Sequence, residues 1–249
     1  MHIAGDDLAG LTLALRSRLR GQDVTVHGAA TAVVFDEVFA LPAPYRDLML
    51  KSGAALEDAV GLIEIETGPS IVADDGTVFV LPGVGPYAPT LRRAWGPDAA
   101  EAWTDCMRTA ADVWGEIRVG RFPVLPPLAA LAGDEPQVQG FLARYAADLG
   151  LSADEAYGGL IVRPYLAQTF GLWSIRGGNA ALTAELRTRC EARGVQFSAE
   201  PAPATAVGSL AALDALRPLF TTAAGTPAPT PQALGLPFVA MGAEAFVLR

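Results

Sequence analysis

Lysine is almost missing from this chain: of its 18 basic residues only Lys51 is one, and 27 carboxylates outweigh them to give a formal charge of −9 over 249 residues. That balance repels phosphate backbones and anionic headgroups, and no local basic patch offsets it, so neither nucleic acid nor a polybasic membrane contact is expected. The Ala-rich, Arg-biased usage resembles that of a GC-rich bacterial coding sequence. Cysteine is as scarce. Cys106 and Cys190 lie far apart with no CxxC spacing, which leaves no zinc or redox motif and makes reduced thiols in the cytoplasm the expectation. Histidine is limited to His2 and His27, both beside expected strands, where a lone histidine on an apolar edge is usually structural. No serine sits in a GxSxG turn, which excludes a hydrolase elbow. The acid pairs Asp6–Asp7, Asp74–Asp75 and Glu64–Glu66 have no histidine or third acid at ligand spacing, so no metal is expected. No run reaches ~18 uninterrupted apolar residues, and no basic segment followed by an apolar one opens the chain. The expectation is a cytoplasmic protein with no transmembrane segment.

Apolar material is ample. Hydrophobic residues make up 51% and charged residues 18%, enough to bury a core in one large domain or two modest ones. The first thirty residues read as strand, tight turn, helix and strand: His2–Ala4, Gly5–Gly10, a helix carrying Leu11, Leu13, Leu15 and Leu19 that Gly21 ends, then a β-branched run from Asp23 to Val26. Helical spacing over Tyr45–Ala59 is interrupted near Gly53. From Leu62 to Leu81 the pattern is of strands flanking Asp75-Gly76, a hairpin signal. Ala94–Val119 reads as one helix with a stripe of tryptophans, a pattern that serves core packing or the lining of an apolar pocket. Ser152-Ala-Asp-Glu155 fits a capping box that would start a helix. Gly177 and Gly178 open a further helix that ends at Gly194 before the strand Val195–Ser198, and a helical piece is expected over Ser209–Leu216.

The turn Gly5-Asp-Asp-Leu-Ala-Gly10 is similar to the dinucleotide fingerprint GxGxxG, with Asp7 where the middle glycine belongs. Further segments extend the likeness. Phe35-Asp36 precedes Leu41-Pro-Ala-Pro-Tyr-Arg-Asp47; Asp75-Gly-Thr77 is followed by a helix with Trp103 and Trp114; Tyr165–Gly178 reads YLAQTFGLWSIRGG; and Gly235-Leu-Pro237 leads to Gly242. Together these resemble the phytoene desaturase-like carotenoid dehydrogenases of the FAD-dependent amine oxidase superfamily.

The resemblance implies an α/β fold: a reduced FAD/NAD(P)-binding Rossmann-like domain from residues 1–60 and 174–249, with an inserted, mostly helical substrate domain over 61–173. It implies FAD as cofactor, held by Gly5, Asp7, Leu8, Gly10, Gly28, Gly177, Gly178, Gly235, Leu236 and Pro237. It implies an apolar, isoprenoid-like substrate against Trp103, Trp114, Tyr165, Phe170 and Trp173, and flavin chemistry that needs no catalytic side chain, so none is named. The departures are as specific. Asp7 puts a Cβ and a like charge where backbone must meet pyrophosphate. Gly28 stands where the family's second strand ends in a ribose-binding acid, and the glycine arm beyond it is missing. The expectation is therefore an oxidoreductase relative with flavin binding weakened or lost, or a non-catalytic descendant that binds a small molecule or a partner chain, with self-association one way to cover its sheet edges.

Overall fold

The computed structural model describes residues 1–28, 38–40, 42–117, 123–147, 152–154 and 156–208. The expected helix over Ser209–Leu216 and the segment Gly235-Leu236-Pro237 lie outside these residues.

In chain order the elements are β1 (His2–Ala4), α1 (Leu8–Leu19), β2 (Thr25–His27), β3 (Val38–Ala40), α2 (Ala43–Ser52), α3 (Leu56–Val60), β4 (Leu62–Ile65), β5 (Thr67–Val72), β6 (Val78–Pro82), α4 (Ala88–Trp95), α5 (Pro97–Ile117), α6 (Pro136–Ala147), α7 (Val162–Phe170), β7 (Leu172–Ile175), α8 (Gly178–Ala192), β8 (Gln196–Ser198) and β9 (Val207–Gly208), with short 3-10 turns at Leu128–Ala132 and Gly158–Ile161. This is a mixed α/β chain. Of the described residues, one compact unit holds 1–63 and 173–208 and a second holds 64–172.

The first unit is built on a four-stranded parallel sheet in the order β8-β2-β1-β9. β1 and β2 are adjacent, with Ile3 opposite Val26, as the opening strand–helix–strand pattern requires. Counted along the chain, the sheet runs third, second, first, fourth, so the strand order reverses at β1. Ile3 and Val26 point to one face and are fully buried under Leu11 and Leu15 of α1, Leu182, Leu186 and Cys190 of α8, and Tyr45, Leu48 and Met49 of α2. The other face carries His2, Thr25, His27, Gln196 and Ser198, since strand side chains alternate. A second sheet has the order β3-β7-β4.

The second unit holds the hairpin β5–β6, whose turn has Gly76 at φ 85° and closes through Ala73 and Thr77. Its helical part differs from the sequence expectation in two places. The stretch expected as a single helix over Ala94–Val119 is broken: Ala94 and Trp95 end α4 and the described residues from Pro97 form α5, separated by Gly96, whose φ of 97° no helix accommodates. No helix starts at Ser152: residues 153–154 form a turn in which Ala156 N donates to the Ser152 carbonyl, and regular helix begins only at Val162. Asp154 is thus a turn residue, because the chain is needed extended at Tyr157, which bridges Pro127 and donates its hydroxyl to the Pro123 carbonyl.

Candidate functional site

The Gly5–Gly10 turn leaves the carboxyl end of β1 and enters α1. Gly5 has φ 121°, a conformation that side chains avoid, and its amide donates to the His27 carbonyl at 2.9 Å, which ties the turn to the end of β2. Gly10 is fixed by proximity. A Cβ there would stand 2.0 Å from the Gly5 carbonyl oxygen, so the helix can approach the strand only with glycine at this position. Gly5 thus turns the chain and Gly10 lets helix and strand meet.

Asp7 does something else. It is the N-cap of α1, extended at φ −76° and ψ 177°, and its Oδ1 accepts the Gly10 amide hydrogen at 2.8 Å. The first amides of a helix and its positive end are what draws a phosphate. Here a carboxylate of the chain itself takes that place. An Asp immediately before a helical run is an N-cap signal, so the capping was open to reading from sequence. Leu8 begins the helix with its side chain 4% exposed in the core, leaving only its backbone toward the turn.

Gly28 closes β2, and its neighbour was not foreseen. A Cβ on Gly28 would lie 3.9 Å from Asp6 Oδ2, so a carboxylate stands beside the end of β2 although position 28 carries none. That carboxylate is paired with Arg187 of α8 at 3.0 Å, and the Arg187 guanidinium lies 4.2 Å over the Phe197 ring. The structure thus brings Gly5, Asp7, Leu8, Gly10 and Gly28 together and adds Asp6 and Arg187. Gly177 and Gly178 stand at the amino end of α8 with φ 84° and 67° and no side-chain cap. Beside them the Arg176 amide donates to the Gly61 carbonyl at 3.0 Å. Arg176 also lines an open groove of about 470 Å³ with Glu57, Asp58, Gly61, Glu185 and Thr188. The guanidinium of Arg46 donates to Glu57 and holds its carboxyl below the usual range.

No family model matches this chain, and no curated protein does. Among solved structures it is similar to an oxidoreductase from Methanosarcina mazei, with 15% identity and a TM-score of 0.50 over 79% of this chain and 50% of that one. A protein from Pyrococcus furiosus gives 16% identity and 0.45 over 79% and 50%. BrvH, a flavin-dependent halogenase from Brevundimonas sp. BAL3, gives 16% and 0.34 over 80% and 34%. The chain spans half the length of the first two. What it shares with the Methanosarcina oxidoreductase is the fold.

The residues expected to line a substrate site are dispersed. Trp103 is 1% exposed, stacked on Tyr87 at 5.9 Å and tilted against Phe141 at 5.2 Å, and Trp114 is 6% exposed. Both sit on the buried stripe Ala99, Trp103, Cys106, Ala110, Val113 and Ile117 of α5, which is core packing. Tyr165 is half-buried on α7, and Phe170 is 38% exposed at its end. Trp173 packs on the first unit's core, with the Arg46 guanidinium 5.1 Å over its ring. Asp75 belongs to the hairpin turn, where the Thr77 amide holds its carboxyl below the usual range. Among the described residues no group of three or more His, Cys, Asp or Glu could hold a metal, and no helix is long and apolar enough to cross a membrane.

Proposed function

We propose that this chain is a phytoene desaturase-like relative of the flavin-dependent oxidoreductases: a reduced Rossmann-like FAD/NAD(P)-binding domain with an inserted substrate domain, binding an apolar small molecule and holding flavin weakly. One observation carries the reading. The Gly5–Gly10 turn leaves β1, the strand at which the order β8-β2-β1-β9 reverses, and in doubly wound sheets dinucleotides are taken at that reversal, on the turn between strand and helix. The fold likeness to the Methanosarcina oxidoreductase supports the same assignment.

The fit to a dinucleotide is incomplete. Gly5 and Gly10 supply the close backbone, but Asp7 takes the Gly10 amide and puts a carboxylate where a pyrophosphate would sit. The turn in this state does not fit the anionic group. The apolar ligand class rests on the resemblance and on the aromatic surface left by Tyr165 and Phe170. Purification of the untagged chain, followed by an absorbance scan at about 450 nm where flavins absorb, tests the weak holding: a colourless preparation is expected, and stoichiometric flavin would overturn it. A thermal-shift panel tests the ligand class. Stabilisation by an isoprenoid hydrocarbon supports it, whereas a shift with hydrophilic metabolites alone sinks it.

A further inference from the structure

The polar face of the four-stranded sheet carries two imidazoles that the proposed function leaves unused. His2 is in register with Thr25, and Ala4 with His27, so the histidines stand diagonally on one face of adjacent strands. Their nitrogens meet: His2 Nδ1 lies 2.9 Å from His27 Nε2, with ring centroids 5.2 Å apart. The tautomer of His27 follows from chemistry. Its Nδ1 lies 3.0 Å from the backbone oxygen of Glu200, and a carbonyl only accepts. Nδ1 therefore carries the hydrogen, and the Nε2 lone pair of the neutral ring is aimed at His2. His27 is 5% exposed and held by this bond, while His2 is exposed.

We propose that His2 and His27 form a binding site for a divalent late transition cation of the Zn2+ type, chelated by His2 Nδ1 and His27 Nε2, with solvent completing its shell. Two imidazole nitrogens each about 2.0–2.1 Å from one ion, at an angle of about 90–110°, are about 2.9–3.4 Å apart. The spacing observed here is at the near end of that range. The ion replaces the hydrogen between the rings. Neutral His2 passes its proton from Nδ1 to Nε2 and turns, so that both lone pairs converge on the ion and no net proton is released. His27 needs no such change, because ligating histidines commonly donate their other nitrogen to a backbone carbonyl, and Glu200 already accepts it. Imidazole donors suit Zn2+, Ni2+ and Cu2+, whereas Mg2+ and Ca2+ prefer oxygen. With two protein ligands the affinity belongs in the micromolar range, and open positions remain for an external donor.

Calorimetric titration of the untagged full chain with ZnCl2 tests the site, with His2→Ala and His27→Gln in parallel and MgCl2 as control. One saturable Zn2+ per chain is expected, weakened at least about tenfold in His2→Ala, with no saturable Mg2+ uptake. His2→Ala removes an exposed side chain and spares the core, so it decides the matter even where His27→Gln folds poorly. Undiminished Zn2+ binding in His2→Ala, no saturable binding by the wild type, or equal uptake of Mg2+ would each overturn the proposal. None of these outcomes depends on whether the chain binds flavin.

Discussion

Asp7 Oδ1 receives the amide hydrogen of Gly10 at 2.8 Å, so the amino end of α1 already holds an anion. The same contact stabilises the helix and competes with any phosphate brought to the turn, and two substitutions separate those roles. Asp7→Ala removes the cap and costs about 1 kcal/mol, whereas glycine is itself an acceptable N-cap and Asp7→Gly costs only about 0.3 kcal/mol. Both remove the competing carboxylate. Quenching of flavin fluorescence is expected to show FAD binding strengthened about tenfold in Asp7→Gly over the wild type, the equivalent of about 1.4 kcal/mol. Equal FAD affinity in the two proteins would mean that Asp7 is a cap and nothing more.

Two helical glycines should respond to alanine with opposite sign. Gly115 lies in α5 with nothing within 4 Å of its missing Cβ, so Gly115→Ala gains helix propensity, about 0.5–1 kcal/mol. Gly10 would gain as much from propensity, but its Cβ meets the Gly5 carbonyl at 2.0 Å. Backbone on both sides must then move, and Gly10→Ala is expected to destabilise by about 2–3 kcal/mol net. Urea midpoints of the two variants check this; a stabilising Gly10→Ala would show that the turn opens without cost.

Restoring an acid at the end of β2 is not the simple repair that the sequence suggests. Glu at position 28 would face the Asp6 carboxylate, already paired with Arg187. Gly28→Glu alone is expected to lower stability by about 0.5 kcal/mol through like-charge proximity, and to leave FAD affinity unchanged. Adding Asp6→Asn frees Arg187 to pair with the new acid and should recover the loss. A double-mutant cycle in urea reads the coupling directly, and strict additivity would refute it.

The opening strand–turn–helix–strand was legible because each part has a local cause: alternation in β1 and β2, leucine periodicity in α1, and glycines at the turn. The hairpin at Asp75-Gly76 was legible for the same reason. What failed to show was tertiary. Gly96 separates Trp95 at the end of α4 from Trp103 and Trp114 of α5, a break that spacing passes over because a single glycine does not interrupt the tryptophan pattern. Ser152 carries a capping pattern, but Tyr157 is bound to Pro127 and Pro123, and that pairing overrides the local preference. In the site, Gly5 and Gly10 were legible from spacing, whereas Asp6 near Gly28, Arg187 of α8 against Asp6, and His2 against His27 join residues far apart in sequence. No one-dimensional pattern marks such pairs.

Both thiols should be inert in the native protein, and its stability should fall in alkali. Burial pushes the Cys106 thiol up to about 11 and the Cys190 thiol up to about 12, with Asp105 and Glu191 adding to it. Their sulfurs lie 3.2 Å from the Leu131 carbonyl and 3.5 Å from the Leu11 carbonyl. Burial also raises the hydroxyls of Tyr87 and Tyr157 to about 12 and that of Tyr45 higher still. In the unfolded chain thiols ionise near ~8.5 and phenols near ~10. Between these values and the native ones the unfolded state holds fewer protons, so stability is complete below pH ~8.5 and is lost as pH rises toward the native values. By pH ~10.5 the two thiols together should cost on the order of 5 kcal/mol, visible as a urea midpoint well below that at pH 7. Cys106→Ala with Cys190→Ala should flatten the fall, leaving the smaller contribution of the tyrosines. A thiol reagent at pH 8 should label the native protein slowly and both cysteines at once in urea, because only the exposed thiolate reacts. Rapid native labelling, or urea midpoints independent of pH up to ~10.5, would show that these thiols are not shielded as the structure places them.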